Sequence, residues 1–299
     1  MALTFHTLDV FTEQRFNGNP LAVVLGADGL TPEQMQRIAR EFNLSETVFL
    51  QQANHRGALV RARIFTPTKE LPFAGHPTLG TACLLADLGI APAGDSVSFV
   101  LEEGVGAVAV TVRRESNRPR FAQLTTAQLP QFGPPVPAVN ELATMLGLSP
   151  ADIETKFDKP RAVSCGLPYV LIPLTGIANL SRIAFDPVLW KKNLSRFWAD
   201  HVLVYHRAAD GEPIRARMFA PGSGVFEDPA TGSAVVALAG ALASESPQTD
   251  GTLRWEIEQG VDMGRPSRLF AEADKSGGAV TAVRVGGYAV RVAQGEIET

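Results

Sequence analysis

The side chains best suited to acid–base chemistry are those of Glu46, His76 and Asp228. Glu46 leads into the apolar run VFL, which is typical of a buried strand, and apolar surroundings favour the neutral carboxyl group that transfers protons near neutral pH. A histidine titrates near neutral pH, and an aspartate at a helix start is stabilised as the anion. The three side chains supply two carboxyl groups and an imidazole but no nucleophile, which predicts a proton-transfer reaction. The alternatives are that Glu46 is a surface residue and that His76 and Asp228 only cap helices.

His76 and Asp228 each stand before a proline, in the loops GHPTLG at residues 75–80 and EDPATG at residues 227–232. Small apolar residues follow both loops, and proline is compatible with a helix start, so a buried helix is predicted after each. The free N–H groups and the dipole of a helix start bind carboxylate, phosphate or a developing oxyanion. We therefore predict an active site between the two helix starts. The residues expected to line it at these loops are Gly75, Pro77, Thr231, Gly232 and Ser233.

Both loops belong to an internal duplication. GNPLAVV, SETVFL, RARIFTP and HPTLGTA, which begin at residues 18, 45, 61 and 76, match GLPYVLI, ADHVLV, RARMFAP and DPATGSA, which begin at residues 166, 199, 215 and 228. Two long copies indicate duplicated domains and not a solenoid. The copies differ in their polar side chains, since His76 corresponds to Asp228 and Glu46 corresponds to Asp200. One acid–base centre is therefore expected, instead of two equivalent centres.

The elements that must position these residues are mostly short strands. Few strand–helix–strand alternations occur, which predicts an α+β fold with antiparallel sheets. The stretch at residues 115–137, rich in arginine, proline and glutamine, predicts the crossing between an N-terminal lobe (residues 1–118, with a C-terminal strand at about 285–299) and a C-terminal lobe (residues 119–284). Strands are predicted at 5–11, 21–25, 47–50, 59–65, 97–101, 105–112, 161–163, 169–174 and 202–205, and helices at 32–43, 141–146 and 187–192.

The composition describes an ordinary globular protein of two domains, with 299 residues, 45% apolar and 19% charged. Its net charge is −4, and its one dense arginine cluster, at residues 113–120, is interrupted by Glu115 and Pro119, which argues against nucleic acid. The sequence has no signal segment and no stretch of 18 apolar residues, so no membrane association is expected. Two cysteines suggest reduced thiols in the cytoplasm. A small-molecule substrate and a homodimer are expected.

Taken together, the motifs resemble those of the phenazine-biosynthesis PhzF-like family, a branch of the diaminopimelate epimerase-like superfamily. The resemblance spans nearly the whole chain and rests on FNGNPLAVVL, SETVFL, FTPTKELPFAGHPTLGTA, MFAPGSGVFEDPATGSA and the closing segment GGYAVRVAQGEI at residues 286–297. It implies two pseudo-symmetric lobes, each a barrel-like, mostly antiparallel sheet around a central helix, with the substrate in the cleft between them.

The family's best-known reaction is the cofactor-free isomerisation of trans-2,3-dihydro-3-hydroxyanthranilate, in which a proton moves within a cyclic amino acid. By this resemblance Glu46 is the acid/base, and His76 and Asp228 are its polar partners. Asn19, Gly75 and the amides around Gly232 and Ser233 hold the substrate. No cofactor and no metal are implied, and the remaining histidines show no repeated metal-ligand spacing.

Two other functions compete with this interpretation. Epimerases of the superfamily use one cysteine at each helix start, but here the loops read AGHP and DPAT. Cys83 is predicted to lie inside the helix that follows GHPTLG, as a thiol of the core. Cys165 begins the turn CGLP and has no cysteine at the matching position of the first copy. An amino-acid epimerase or racemase is therefore disfavoured, and a role for Cys165 stays open. A non-catalytic protein that binds small anions is the other alternative, because a fold does not by itself imply a function.

Overall fold

The computed structural model describes residues 2–208 and 211–299. Six helices of this part of the chain are α1 Pro32–Phe42, α2 Gly75–Asp87, α3 Val139–Leu146, α4 Ala178–Ser181, α5 Pro187–Asn193 and α6 Gly232–Glu245. Its strands are β1 Ala2–Val10, β2 Asn19–Val24, β3 Glu46–Gln51, β4 Val60–Phe65, β5 Glu70–Leu71, β6 Ser96–Glu103, β7 Gly106–Arg113, β8 Arg120–Thr125, β9 Gln131–Phe132, β10 Arg161–Ser164, β11 Pro168–Pro173, β12 His201–His206, β13 Ile214–Ala220, β14 Val225–Asp228, β15 Gly251–Gln259, β16 Ser267–Ser276 and β17 Ala279–Glu298.

The chain forms two units, and the first is built from two segments. Unit 1 contains the residues up to Thr125 together with Gly286–Thr299, and unit 2 is the continuous segment Thr126–Val285. The sequence placed the first crossing at residue 118, but residues 120–125 form β8, which pairs with β7 in unit 1. The chain returns to unit 1 within β17.

Eight strands of unit 1 close into a ring. Each strand pairs with the next in the order β1, β2, β3, β4, β6, β7, β8 and β17, and β17 pairs back with β1. Helix α2 packs against five of these strands, and its residues Gly75–Leu85 are all buried. A helix that is apolar on every side is stable only when it is enclosed, which explains the small apolar residues of TLGTACLLA.

Helix α1 shows how local sequence sets an element. The side chain of Thr31 accepts a hydrogen bond from the amide of Gln34, the side chain of Gln34 accepts one from the amide of Thr31, and Pro32 occupies the first helical position. This helix connects β2 to β3, which lie parallel to each other. The connection brings the start of β3 next to the start of β2.

Unit 2 repeats the same strand path. Strands β11, β12, β13, β15 and β16 correspond in order to β2, β3, β4, β6 and β7. As in unit 1, successive strands of this series pair in turn parallel, antiparallel, parallel and antiparallel. Helix α6 packs against β10, β11, β15 and β16, and only its ends reach the surface. The predicted α+β fold, with a barrel-like, mostly antiparallel sheet around a central helix in each copy, is confirmed.

The arginine cluster at residues 113–120 overlaps the predicted crossing at residues 115–137 but does not connect the two units. Arg113 ends β7, Arg120 begins β8, and Arg118 forms an ion pair with Glu13 at 2.8 Å while its guanidinium stacks 4.4 Å from the ring of Tyr288. All of these residues belong to unit 1. Arginine and proline gave the segment the composition of a linker, whereas its strand is fixed by pairing partners elsewhere in the chain.

Candidate active site

Glu46 and His76 are brought together in unit 1. Glu46 is the first residue of β3, where it lies opposite Leu21 of β2, and its side chain is 14% exposed. His76 is the second residue of α2 and is 5% exposed. The distance between Nε2 of His76 and Oε2 of Glu46 is 3.4 Å. A strand and a helix that are distant in sequence therefore meet at one carboxyl–imidazole contact.

Burial keeps His76 neutral. Removal from water lowers the pKa of His76 to about 3, and a hydrogen bond to the backbone of Pro20, which has only a carbonyl oxygen to offer, opposes this in part. The imidazole is uncharged at pH 7, so its contact with Glu46 is not an ion pair. The expectation that His76 titrates near neutral pH is wrong, because it assumed a solvated ring.

Asn19 and Gly75 lie at the starts of their elements in the same unit. Asn19 is the first residue of β2, is fully buried and lies opposite Val10 of β1. Gly75 is the first residue of α2, so its amide and that of His76 lack intrahelical acceptors. Pro77 is the third residue and has no N–H to leave unpaired. The first turn of α2 thus combines two amide donors with the neutral imidazole.

Asp228 is fixed by a buried network in unit 2. The hydroxyl group of Thr231 donates to Oδ2 of Asp228 at 2.5 Å, and Nε2 of Gln259 donates to the carbonyl oxygen of Asp228 at 2.7 Å. Nε2 of Gln259 also lies 3.0 Å from the hydroxyl oxygen of Thr231, and Oε1 of Gln259 accepts from the amide of Thr231 at 3.2 Å. The network orients the Asp228 carboxyl group and fixes the turn that leads into α6.

Ser233 lies in the first turn of α6, after Gly232, and its hydroxyl group is 2.7 Å from that of Tyr169 on β11. Asp200, which corresponds to Glu46, has a different environment, because its carboxyl group lies 2.9 Å from Nδ1 of the adjacent His201 and is 36% exposed. Nε2 of His201 is 2.9 Å from the hydroxyl oxygen of Ser223. The acid of the second copy is therefore more exposed than Glu46.

The two matching loops do not adopt the same structure. GHPTLG already forms the beginning of α2, so His76 is in the first helical turn. EDPATG instead ends β14 at Asp228 and turns at Pro229–Thr231, and α6 begins only at Gly232. The helix does not start at Pro229, and the alternative interpretation of Asp228 as its cap is wrong: the cap position belongs to Thr231, whose hydroxyl group donates to Oδ2 of Asp228.

Three polar residues that contact the starts of α2 and α6 or the turn before α6 were not predicted as site residues: Tyr169, Gln259 and Glu103. Glu103 ends β6, and its Oε1 lies 2.7 Å from the hydroxyl oxygen of Thr78 on α2. A fifth pair of matching blocks would have found two of them, because LEEGV at residues 101–105 matches IEQGV at residues 257–261. This match makes Glu103 and Gln259 equivalent residues at the ends of β6 and β15.

Neither cysteine lies at a helix start. Sγ of Cys83 is 3.4 Å from the carbonyl oxygen of Arg120, and burial raises the pKa of the Cys83 thiol far above its usual range. Sγ of Cys165 is 3.5 Å from the carbonyl oxygen of Val236 on α6, and burial raises its pKa to about 12. Both are neutral thiols at pH 7, whereas a two-thiol epimerase requires a thiolate.

Across residues 2–208 and 211–299, no three histidine, cysteine, aspartate or glutamate side chains come together as a set that could hold a metal ion. None of the helices described in these same ranges is both long enough and apolar enough to cross a membrane.

A duplicated sheet around two buried helices defines the protein as a member of the class with the diaminopimelate epimerase-like fold. The crystal structure of a phenazine biosynthesis protein of the PhzF family from Bacillus anthracis has this fold, with a TM-score of 0.88 and 26% identity over 100% of both chains.

The chain belongs to the phenazine biosynthesis-like family, whose model matches residues 8–295. It is 42% identical over 296 residues to an uncharacterized isomerase of Mesorhizobium japonicum, covering 97% of this chain and 96% of that one. It is 39% identical to trans-2,3-dihydro-3-hydroxyanthranilate isomerase of Pseudomonas chlororaphis, covering 97% of each. The protein is an isomerase, as predicted.

Proposed function

We propose that this isomerase moves a proton within a small anionic or zwitterionic metabolite, without a cofactor. The proton leaves a carbon activated by a carboxylate, enol or carbonyl group, is held by Glu46, and returns to the same or another carbon. The reaction is thus a 1,1- or 1,3-shift in which no atom is gained or lost and no electron leaves the substrate.

The observation that carries this proposal is the contact between Glu46 and a neutral His76 at the start of α2. A carboxylate beside a neutral imidazole can accept a proton without first breaking an ion pair. The mostly buried position of Glu46 limits hydration of its carboxylate, which favours proton transfer from the substrate, while its 14% exposure lets the proton that it holds exchange with solvent.

The first turns of α2 and α6 support the stabilisation of negative charge. Removal of a proton from carbon builds up charge on the adjacent carboxylate or carbonyl oxygen, and preorganised N–H donors lower the energy of that state. The amides of Gly75 and His76 serve this role in unit 1, and those of Gly232 and Ser233 serve it in unit 2. Asp228, oriented by Thr231 and Gln259, binds the cationic or hydroxyl group of the substrate.

The named activity of the Pseudomonas chlororaphis relative makes trans-2,3-dihydro-3-hydroxyanthranilate the first substrate to test. This molecule carries a carboxylate and an amino group on one ring, which fits a site that contains both amide donors and a carboxylate. Related cyclic amino acids belong in the same screen, because the site chemistry is common to the class.

The decisive experiment measures exchange of substrate hydrogen with deuterated water by mass spectrometry. Glu46→Gln keeps the shape of the side chain but cannot accept a proton, so we expect exchange and turnover to fall by at least about 10³-fold while binding persists. The duplication offers a matched control: Asp200→Asn makes the same change at the corresponding position and should retain exchange. Full exchange in Glu46→Gln, or equal losses in both variants, would contradict a single acid–base centre at Glu46.

A further inference from the structure

Glu103 is a buried carboxyl group that the proposed reaction does not use. It is the last residue of β6 and is 5% exposed. Its Oε1 lies 2.7 Å from the hydroxyl oxygen of Thr78, and the same hydroxyl oxygen lies 2.7 Å from the carbonyl oxygen of Ala74. Ala74 is the residue immediately before α2, so this chain of contacts ends at the helix start that carries Gly75 and His76.

The hydroxyl group of Thr78 has one hydrogen for two neighbouring oxygens. If that hydrogen points to Ala74, the hydrogen between Thr78 and Glu103 must come from Glu103. If it points to Glu103, the oxygens of Thr78 and Ala74 are left 2.7 Å apart without a hydrogen between them, which is repulsive. Both contacts are satisfied together only when Glu103 carries a proton.

The surroundings of Glu103 also favour the neutral acid. Burial raises the pKa of Glu103 to about 8, which the hydrogen bond with Thr78 opposes in part. Within residues 2–208 and 211–299, Oε2 of Glu103 is buried without a hydrogen-bond partner, so a carboxylate here would lack compensating donors.

The ionisable groups on the elements around Glu103 are paired with one another or neutral. On β4, β5 and β6, Arg61 pairs with Glu102 at 3.7 Å and Arg63 pairs with Glu70 at 2.7 Å. On α2, His76 and the buried thiol of Cys83 are neutral. The last residue of α2, Asp87, pairs with Arg120 at 3.0 Å. On β7, the residue opposite Glu103 is Gly106. Glu46 on β3, 3.4 Å from His76, is a further carboxyl group beside α2, so a titration is assigned to Glu103 only where Glu103→Gln removes it.

The second copy provides a natural comparison. Gln259 stands at the end of β15 where Glu103 stands at the end of β6, and the preceding residues, Glu258 and Glu102, both pair with the corresponding arginine of the neighbouring strand. Gln259 is always neutral, and its Nε2 donates to the hydroxyl oxygen of Thr231 at 3.0 Å. A protonated Glu103 would make the same donation to Thr78.

We infer that Glu103 is a positioning residue that acts as a neutral carboxylic acid: it donates to Thr78, whose hydroxyl group donates to Ala74, and so fixes the first turn of α2 and the placement of His76 against Glu46. Loss of the Glu103 proton releases this turn. The effect on catalysis rests on the proposed function, whereas the protonation of Glu103 does not.

Protonation is tested first without any substrate. The pKa of Glu103 is raised from an ordinary 4.5 to about 8, so its contribution to stability is complete below about pH 4.5 and is lost as the pH rises to about 8. Glu103→Gln cannot lose a proton, and we expect its melting temperature relative to wild type to rise by about 5 °C or more between pH 5 and pH 9. Infrared spectra at pH 7 should show a protonated carboxyl band that Glu103→Gln lacks.

The catalytic effect is tested with trans-2,3-dihydro-3-hydroxyanthranilate as the probe. Wild-type kcat should be about tenfold lower at pH 9 than on its plateau, as expected for one essential proton with a pKa of about 8. Glu103→Gln should lack this alkaline decline and exceed wild type at pH 9, whereas Glu103→Ala, which cannot donate, should have reduced kcat at every pH.

Glu102→Gln is the matched control, since it removes the neighbouring carboxyl group, whose pKa is lowered by hydrogen bonds from the amides of His55 and Asn54. It should keep the wild-type alkaline decline in both stability and rate. The inference is overturned if Glu103→Gln and wild type show the same pH dependence of melting temperature, or if the infrared band persists in the variant. Absence of turnover in every protein would count against the proposed function and leave these two measurements decisive for Glu103.

Discussion

Two neutral side chains, His76 in the first turn of α2 and Glu103 at the end of β6, define the electrostatics around the start of α2. Burial lowers the pKa of His76 and raises the pKa of Glu103. Both groups are therefore uncharged at pH 7. The first turn of α2 therefore brings no charged side chain of its own. Binding of an anion there depends on amide N–H groups, which need no counter-ion and do not compete for the proton on Glu46.

The neutrality of His76 predicts a specific loss of stability in acid. Its pKa is about 3 in the folded protein and 6.5 in the unfolded chain, so the folded state binds fewer protons, and stability is complete above about pH 6.5 and falls as the pH decreases to about 3. The full loss is on the order of a few kcal/mol. Urea unfolding at a series of pH values should show this slope in wild type and a reduced slope in His76→Gln.

Exposed His55 provides the comparison for this measurement. His55→Gln makes the same replacement on the surface of unit 1 and should keep the wild-type slope between pH 6.5 and pH 3. Equal slopes in wild type and His76→Gln would mean that His76 is protonated in the folded state, and would remove the basis for a neutral imidazole beside Glu46.

At the level of elements, the sequence predicted those whose causes are local. Helix α1 was predicted to within one residue because Thr31 is its N-cap, Pro32 occupies its first position and apolar residues follow at helical spacing; the structure adds the capping box of Thr31 with Gln34. Strand β8 was not predicted, because its residues resemble a linker and only pairing with β7 makes them a strand. The start of α6 was placed too early for a similar reason: Gln259, distant in sequence, holds Asp228 and Thr231 in a turn before the helix.

The candidate site follows the same division. Glu46, His76 and Asp228 could be predicted because each stands in a motif that combines a polar residue with an apolar run or a proline. The match of LEEGV with IEQGV marks the position of Glu103 but not its burial, since a glutamate at the end of a strand is normally solvated and the partner of Glu103, Thr78, lies on another element. The contact of Tyr169 with Ser233 likewise joins a strand to a helix across a long stretch of sequence.

The enclosure of α2 by the sheet predicts the outcome of Gly80→Ala. A Cβ atom at Gly80 would lie 2.6 Å from Cδ2 of Leu21 and 2.6 Å from Cγ2 of Val10. Both side chains are fully buried and cannot move without displacing the core. Overpacking costs about 1–3 kcal/mol, which exceeds the gain of about 1 kcal/mol from replacing glycine within a helix. We expect a net loss of up to about 2 kcal/mol in the free energy of unfolding.

Chemical denaturation would measure this loss, with Gly176→Ala as the control. At Gly176 the nearest atom to an added Cβ, Nδ2 of Asn179, is 3.8 Å away, so little change is expected there. A stabilised Gly80→Ala variant would show that α2 is packed less closely against β1 and β2 than these distances state.

At the level of the whole molecule, the connectivity of unit 1 is its most consequential feature. Its ring of strands is complete only with the C-terminal part of β17, which pairs with β1 from Ala2 opposite Glu298 to Val10 opposite Ala289. The ring of Tyr288 on this strand also packs edge-on against Phe121, with centroids 5.1 Å apart. Residues from the two ends of the chain thus form one unit, and the continuous segment Thr126–Val285 is inserted between them.

This connectivity predicts that the ends of the chain can be joined. Because Ala2 and Glu298 are paired neighbours, a Gly/Ser linker of about four to six residues can connect the termini, and new termini can be opened between Thr125 and Thr126. We expect this permutant, in which unit 1 is continuous, to unfold cooperatively with a melting temperature within about 5 °C of wild type. A chain that ends at Val285 leaves β1 paired with β2 alone, so the other edge of β1 is exposed and the chain should aggregate. Calorimetry and size-exclusion chromatography of both proteins provide the test: a stable truncated chain, or a permutant that fails to fold, would show that the last strand is not an integral part of unit 1.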